Sequence, residues 1–218
     1  MKSAASSEPK KPATSQPVAL GACGARFVES PMKAITSLAN HFLIAMPGLA
    51  DPNFARSVTL ICEHSEQGAM GIVINRPTDL RLRDILEQLD IPSNKTRLAD
   101  LPVFLGGPVQ GNRGFVVHEP LGNWNATLAV TDGLGVSTSR DILEAIAENN
   151  GPERCLIALG YAGWGPGQLE REILENAWLY GPANDEILFE VPVEQRWKEA
   201  ARAAGVDLDL LSADAGHA

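Results

Sequence analysis

SVTLICEHSEQGAMGIVIN, residues 57–75, holds two β-prone runs, 57–64 and 69–75, separated only by Ser65, Glu66, Gln67 and Gly68. Four polar or glycine residues suit a hairpin loop, whereas a parallel crossover needs a dozen residues or more. The two runs are therefore expected as antiparallel neighbours. Upstream, 41–46 is a further strand, stopped by Pro47 and Gly48. Downstream, Arg76 and Pro77 end the hairpin, and Leu82, Ile85, Leu86 and Leu89 form a helical stripe over 80–89, capped by Thr78 or Asp79. Short strands follow at 102–105, 114–118 and 126–130, then a helix at 139–148 with Thr138 and Asp141 as its capping box. A strand at 155–159, a helix at 168–178, a strand at 187–190 and a helix at 193–204 complete the pattern. Because the early connections are short, the expectation is an α+β fold with a mixed, largely antiparallel sheet flanked by helices rather than a doubly wound one.

The chain has 218 residues, 44% hydrophobic and 21% charged, as expected for one globular domain with tails. Its longest apolar runs, such as 43–46 and 58–62, fall far short of the roughly 20 residues of a membrane-spanning helix. The net charge of −9 is unevenly placed: residues 1–40 carry +3, and the remaining 13 basic and 25 acidic residues give −12. Such a balance argues against direct nucleic-acid binding and against attraction to anionic lipid. Residues 3–17 consist of Ala, Ser, Pro, Lys, Thr, Gln and Glu, too polar to offset ordering entropy, so 1–37 is expected as a disordered extension and 38–218 as the domain. Leu20 to Cys23 resembles a lipoprotein cleavage box, but only Val18, Ala19 and Leu20 precede the cysteine as an apolar stretch, too few for a signal core. Met32 offers an alternative translation start. Cys23, Cys62 and Cys155 show no paired spacing, which fits a reducing cytoplasm.

Several constellations invite chemistry. Gly160 to Gly167 follows an expected strand and precedes an expected helix, yet it lacks the third glycine of a dinucleotide fingerprint and the lysine of a P-loop. Glu170 and Glu172 would also repel a phosphate there, leaving a tight turn with Tyr161 and Trp164 closing over the core. On a regular strand, Cys62 and His64 share one face and Glu63 takes the other, a possible thiol–imidazole pair or half a metal site without its remaining ligands. Gly106 and Gly107 would allow close backbone approach, and Arg76 offers a planar fork for an anion. No nucleophile elbow, zinc-protease or calcium-loop motif occurs.

Taken in register, HFLIAMP at 41–47, ICEH at 61–64, GAMG at 68–71, NRP at 75–77, VFLGGP at 103–108, STSRD at 137–141 and ALGYAGW at 158–164 resemble the YqgE/AlgH family, bacterial proteins labelled as transcriptional regulators. GQLE at 167–170, Glu172, Asn176, Ala177, Trp178, Arg196, Trp197 and the final AGHA extend the likeness over 38–218. The resemblance implies a bent sheet forming a partial barrel, a cytosolic location and no established catalysis or cofactor; the N-terminal extension has no counterpart in it. Residues at strand ends and glycine loops point to a ligand cleft formed by Cys62, His64, Asn75, Arg76, Gly106, Gly107, Tyr161, Trp164 and Gln168. A small molecule or a protein is the expected partner, with a reactive Cys62/His64 enzyme second and DNA binding third.

Overall fold

The computed structural model describes residues 37–92, 96–208 and 210, so the expected extension before Ser37, Cys23, Met32 and the closing AGHA lie outside the described residues. The hairpin forms as expected: β2 (Val58–Ser65) pairs antiparallel with β3 (Gly68–Val73), and β1 (His41–Ala45) joins the far side of β2. β4 (Pro77–Arg81) pairs with β5 (Pro102–Leu105). β6 (Val109–Glu119), β7 (Thr127–Ala129) and β8 (Gly135–Ser137) then build the second half of the sheet.

The two halves meet on β9 (Arg154–Trp164). Its first half is flanked by β6, antiparallel with Phe115 opposite Ala158, and by β5, parallel with Val103 opposite Ile157. Its last three residues pair instead with β3, Ala162 opposite Gly71 and Trp164 opposite Ala69. With β10 (Trp178–Pro182) closing on β1, the order is β10-β1-β2-β3-β9-β6-β8-β7. The sheet is thus mostly antiparallel and curled into a partial barrel, the α+β architecture expected.

Three apolar clusters follow from the curl. The first lies inside it and draws on both halves: Phe42, Leu60, Ile72, Phe104, Phe115, Val117, Val136 and Leu156. α4 (Arg196–Ala203) plugs it with Ala200 and Ala201. On the outer face, α1 (Leu82–Gln88) and α2 (Arg140–Ala147) cover a second cluster around Val103, Val116 and Ile157. Near α3 (Gln168–Leu174), Leu43, Ile61, Trp164, Leu169 and Trp178 form the third.

Several expectations are corrected. Residues 187–190 are not a strand but part of a π-helical turn, Glu186–Glu190, in which the Val191 N–H donates to the Glu186 carbonyl at 2.8 Å. Adjacent Ile187 and Leu188 both enter the same interior cluster, which the alternation of a strand does not allow. The helix expected over 168–178 stops at Leu174 because Asn176 adopts φ 57°, freeing Trp178 to begin β10. The strand expected to end at Leu159 runs on through Tyr161 to Trp164, so the glycine-rich turn shrinks to the residues just before α3. Thr78 and Asp79 lie in β4; it is Asp84 whose carboxylate accepts the Arg81 N–H, at 2.6 Å, to close the start of α1.

Candidate functional site

Where β2, β3, β9, β6, β8 and β7 converge at one end of the curl, the apolar interior gives way to a cleft of about 710 Å³. One wall carries Glu63, Ser65, Gln67 and Met70 from the first hairpin; the other carries Arg113, Phe115, Val136 and Thr138. Tyr161, Gly163 and Trp164 of β9 lie between, and Asn125, Thr127 and Leu128 form the rim beside β7. Arg113 and Phe115 are two apart on β6 and so share a face, which sets the guanidinium 5.5 Å above the ring. Its remaining partners are neutral: it donates to Gln110 Oε1 at 3.4 Å and to Thr138 Oγ1 at 3.2 Å. Among the described residues no carboxylate lies within ion-pair distance of Arg113, although Glu63 faces the same cleft.

Of the nine residues expected around a common cleft, Tyr161 and Trp164 line this one. A one-residue bulge in the ladder between Ile61 and Glu63 separates Cys62 from His64. Cys62 packs with Leu60 and Ile72 in the interior cluster, Glu63 turns into the cleft, and His64 emerges on the outer face. The shared face expected for Cys62 and His64 is therefore absent. Burial pushes the Cys62 thiol up to about 12, leaving it protonated at neutral pH. His64 Nδ1 accepts the Leu38 N–H at 2.9 Å, and its Nε2 donates to Glu170 at 2.8 Å, tying α3 to the start of β1.

The others serve the scaffold. Asn75 accepts the Val58 N–H and donates to the Arg56 carbonyl; Arg76 donates to the Pro52 and Ala55 carbonyls, so its fork holds the 51–56 loop. Gly106 and Gly107 sit against β9 so closely that a Cβ would clash with the Gly160 oxygen and the Tyr161 carbonyl carbon, respectively. Gln168 accepts the Gly165 N–H and donates to Glu172.

Sequence reasoning assigned no site role to Arg113, Phe115, Asn125 or Thr127, read Glu63 only as the residue opposite the Cys62/His64 face and took Thr138 as a helix cap. The two-residue spacing of Arg113 and Phe115 was the available signal, hidden because β6 begins five residues before the strand expected at 114–118. Beneath the rim lies His118, fully buried, whose Nδ1 donates to the Pro120 carbonyl while Nε2 accepts from Ser137 Oγ at 2.8 Å. Ser137 Oγ in turn lies 2.6 Å from Thr127 Oγ1. A hydroxyl aimed at an imidazole is the geometry of an activated serine, but both groups are sealed from solvent, so the chain of bonds braces β6, β8 and β7. Among the described residues no group of three His, Cys, Asp or Glu side chains is placed to hold a metal ion, and no helix is long and apolar enough to cross a membrane.

Residues 42–209, which include every wall of the cleft, match the model of the AlgH-like family. The chain belongs to that family. A UPF0301 protein of Thioalkalivibrio sulfidiphilus is 61% identical over 187 residues, covering 86% of this chain and all of the relative. The solution structure of the AlgH protein from Pseudomonas aeruginosa is similar with a TM-score of 0.70 at 52% identity, covering 85% of this AlgH-like chain and 98% of that one. Protein DIP2367 from Corynebacterium diphtheriae, a crystal structure, is similar at 25% identity with a TM-score of 0.62, covering 79% and 90%. None of these names states a ligand or a reaction.

Proposed function

We propose that this AlgH-like protein is a cytosolic binding module whose ligand occupies the cleft at the open end of the curled sheet, and that any regulatory role is exerted through that ligand rather than by contact with DNA. The observation carrying this reading is the Arg113 guanidinium, without a carboxylate partner among the described residues and held over Phe115 in a cleft of about 710 Å³ that combines aromatic, amide, hydroxyl and carboxylate groups. A few convergent polar groups on an apolar floor characterise recognition sites. Arg113 is the one cation among the cleft residues, and the whole chain carries −9, so a nucleic-acid backbone finds little to neutralise it.

The test is to isolate the full chain from a bacterial lysate and identify retained small molecules and peptides by mass spectrometry. Arg113→Ala removes the cation, while Gly163→Leu fills the floor; a Cβ there meets the edge of the Tyr161 ring at 3.3 Å and Val109 Cγ2 at 4.0 Å, and no backbone atom among its three nearest neighbours. A ligand retained by the parent and lost from both variants, with thermal midpoints preserved, is the expected result. Equal retention by both variants, or no retained molecule at all, overturns the reading.

A further inference from the structure

Among the described residues, nothing covers the sheet edge at the rim of the cleft. Thr138 donates its N–H to the Ala126 carbonyl at 3.0 Å and Val130 donates to Leu134 at 2.9 Å, which fixes the phase of the β7–β8 ladder. Residues 126, 128 and 130 therefore turn their backbone groups toward β8, and Thr127 and Ala129 turn theirs away. Among the described residues none pairs with those outward N–H and C=O groups. The edge also carries neither charge nor proline: residues 126–130 read Ala-Thr-Leu-Ala-Val. At the opposite edge β10 ends in Pro182, and a Cβ on its Gly181 would lie 3.1 Å from Ala204, just past the end of α4. Exposed edges are normally blunted by charge, proline, cover or a very short strand; β7 has only the last, at three residues, so beside the cleft it is a template for a short added strand.

We infer that the cleft receives an extended peptide, which adds to β7 as a further strand through Thr127 and Ala129 and places an acidic side chain on Arg113. The inference rests on the cleft being the binding site. Arg113 supplies the charge complementarity, since its guanidinium bonds Thr138, the residue opposite Ala126 on β8. An added strand would lie two spacings of about 4.8 Å from β8. On the inner side of the curl, a peptide glutamate and the Arg113 side chain, which already reaches Thr138, would meet across that gap in a charge-assisted bond. Alternate peptide side chains would point inward toward Leu128, Val136 and Phe115, and the intervening ones would face solvent.

A library of displayed decapeptides panned on the full-length protein provides the probe, and selected peptides are then titrated into ¹⁵N-labelled protein. The expected peptides are β-prone with an acidic residue, shift the amides of Thr127 and Ala129, and lose tenfold or more in affinity when N-methylated at alternate backbone positions but not at the intervening ones. Ala129→Pro removes an outward N–H without breaking a ladder bond, and is expected to abolish binding while the thermal midpoint holds. Peptides that perturb Tyr161 and Trp164 but not β7, or tolerate N-methylation everywhere, overturn strand addition and leave the cleft reading intact. Failure to select any peptide overturns strand addition, and if the lysate test also yields no retained molecule the cleft reading falls with it. Peptide-free dimerisation abolished by Ala129→Pro assigns the edge to a second copy of the chain and overturns the inference too.

Discussion

Glu172 accepts three hydrogen bonds on one carboxylate, from the Trp164 and Trp178 indoles at 2.9 and 2.8 Å and from the Gln168 amide at 2.8 Å. Phe54 completes the aromatic group, 5.5 Å edge-on from Trp178. Glu172→Ala orphans two indole donors and is expected to cost about 2–3 kcal/mol in urea unfolding, with Glu172→Gln costing less because an amide oxygen still accepts. Cys62 sets a limit at high pH. Its thiol is pushed up to about 12 in the fold from an ordinary value of 9.0. Below pH 9 both folded and unfolded thiols keep their protons and stability is undiminished. Between 9 and 12 only the unfolded chain ionises, so stability falls by up to about 1.4 kcal/mol per pH unit from this group. Denaturant midpoints measured from pH 8 to 11 should show that slope, reduced in Cys62→Ala, and iodoacetamide at pH 8 should leave native Cys62 unmodified. None of this is visible in residue identities: a cysteine beside a histidine looks reactive until the bulge turns them to opposite faces.

At the scale of elements, β9 keeps its length by a single irregularity. Gly160 has φ 72°, and a Cβ there would lie 2.6 Å from the Gly107 oxygen and 2.9 Å from the Val109 oxygen. Gly160→Ala is therefore expected to cost more than about 2 kcal/mol by thermal unfolding; a neutral outcome would mean that β9 does not bend there. α4 is pinned by Arg196, nearly buried, which donates to the Val191 carbonyl at 3.0 Å and the Ile74 carbonyl at 2.6 Å and stacks over Phe104. Arg196→Ala should destabilise by about 3 kcal/mol, chiefly by stranding those carbonyls. The sequence made the first hairpin, α2 and α4 legible because their periodicity is sustained. It hid β8, only three residues long, and misrepresented 187–190, because a short apolar run suits a strand and a helical turn equally. Tertiary packing chose between them.

The whole molecule is organised around the interior cluster, to which β1, β2, β3, β5, β6, β8, β9 and α4 all contribute. No half of the sheet keeps a complete core without the other. Urea unfolding should accordingly be one transition, with tryptophan fluorescence and far-UV circular dichroism giving the same midpoint; separated midpoints would show that the halves unfold independently. The same organisation explains why the candidate site was the least legible feature. Its walls come from residues 63–70, 113–138 and 161–164, and no local pattern reports which distant strands will converge. Tyr161 and Trp164 were found because aromatics among glycines stand out in any segment; Glu63 and Thr138 were not, because a residue opposite the Cys62/His64 face and a helix cap do not show alone which distant strands they will face. The closing pair of the sheet, His41 opposite Pro182, adds a constraint in time. During translation at roughly 5–20 residues per second, β1 waits on the order of ten seconds for its outer neighbour to be made. Until then the outer edge of β1 lacks its partner strand, so the growing chain carries an open edge that the finished fold covers.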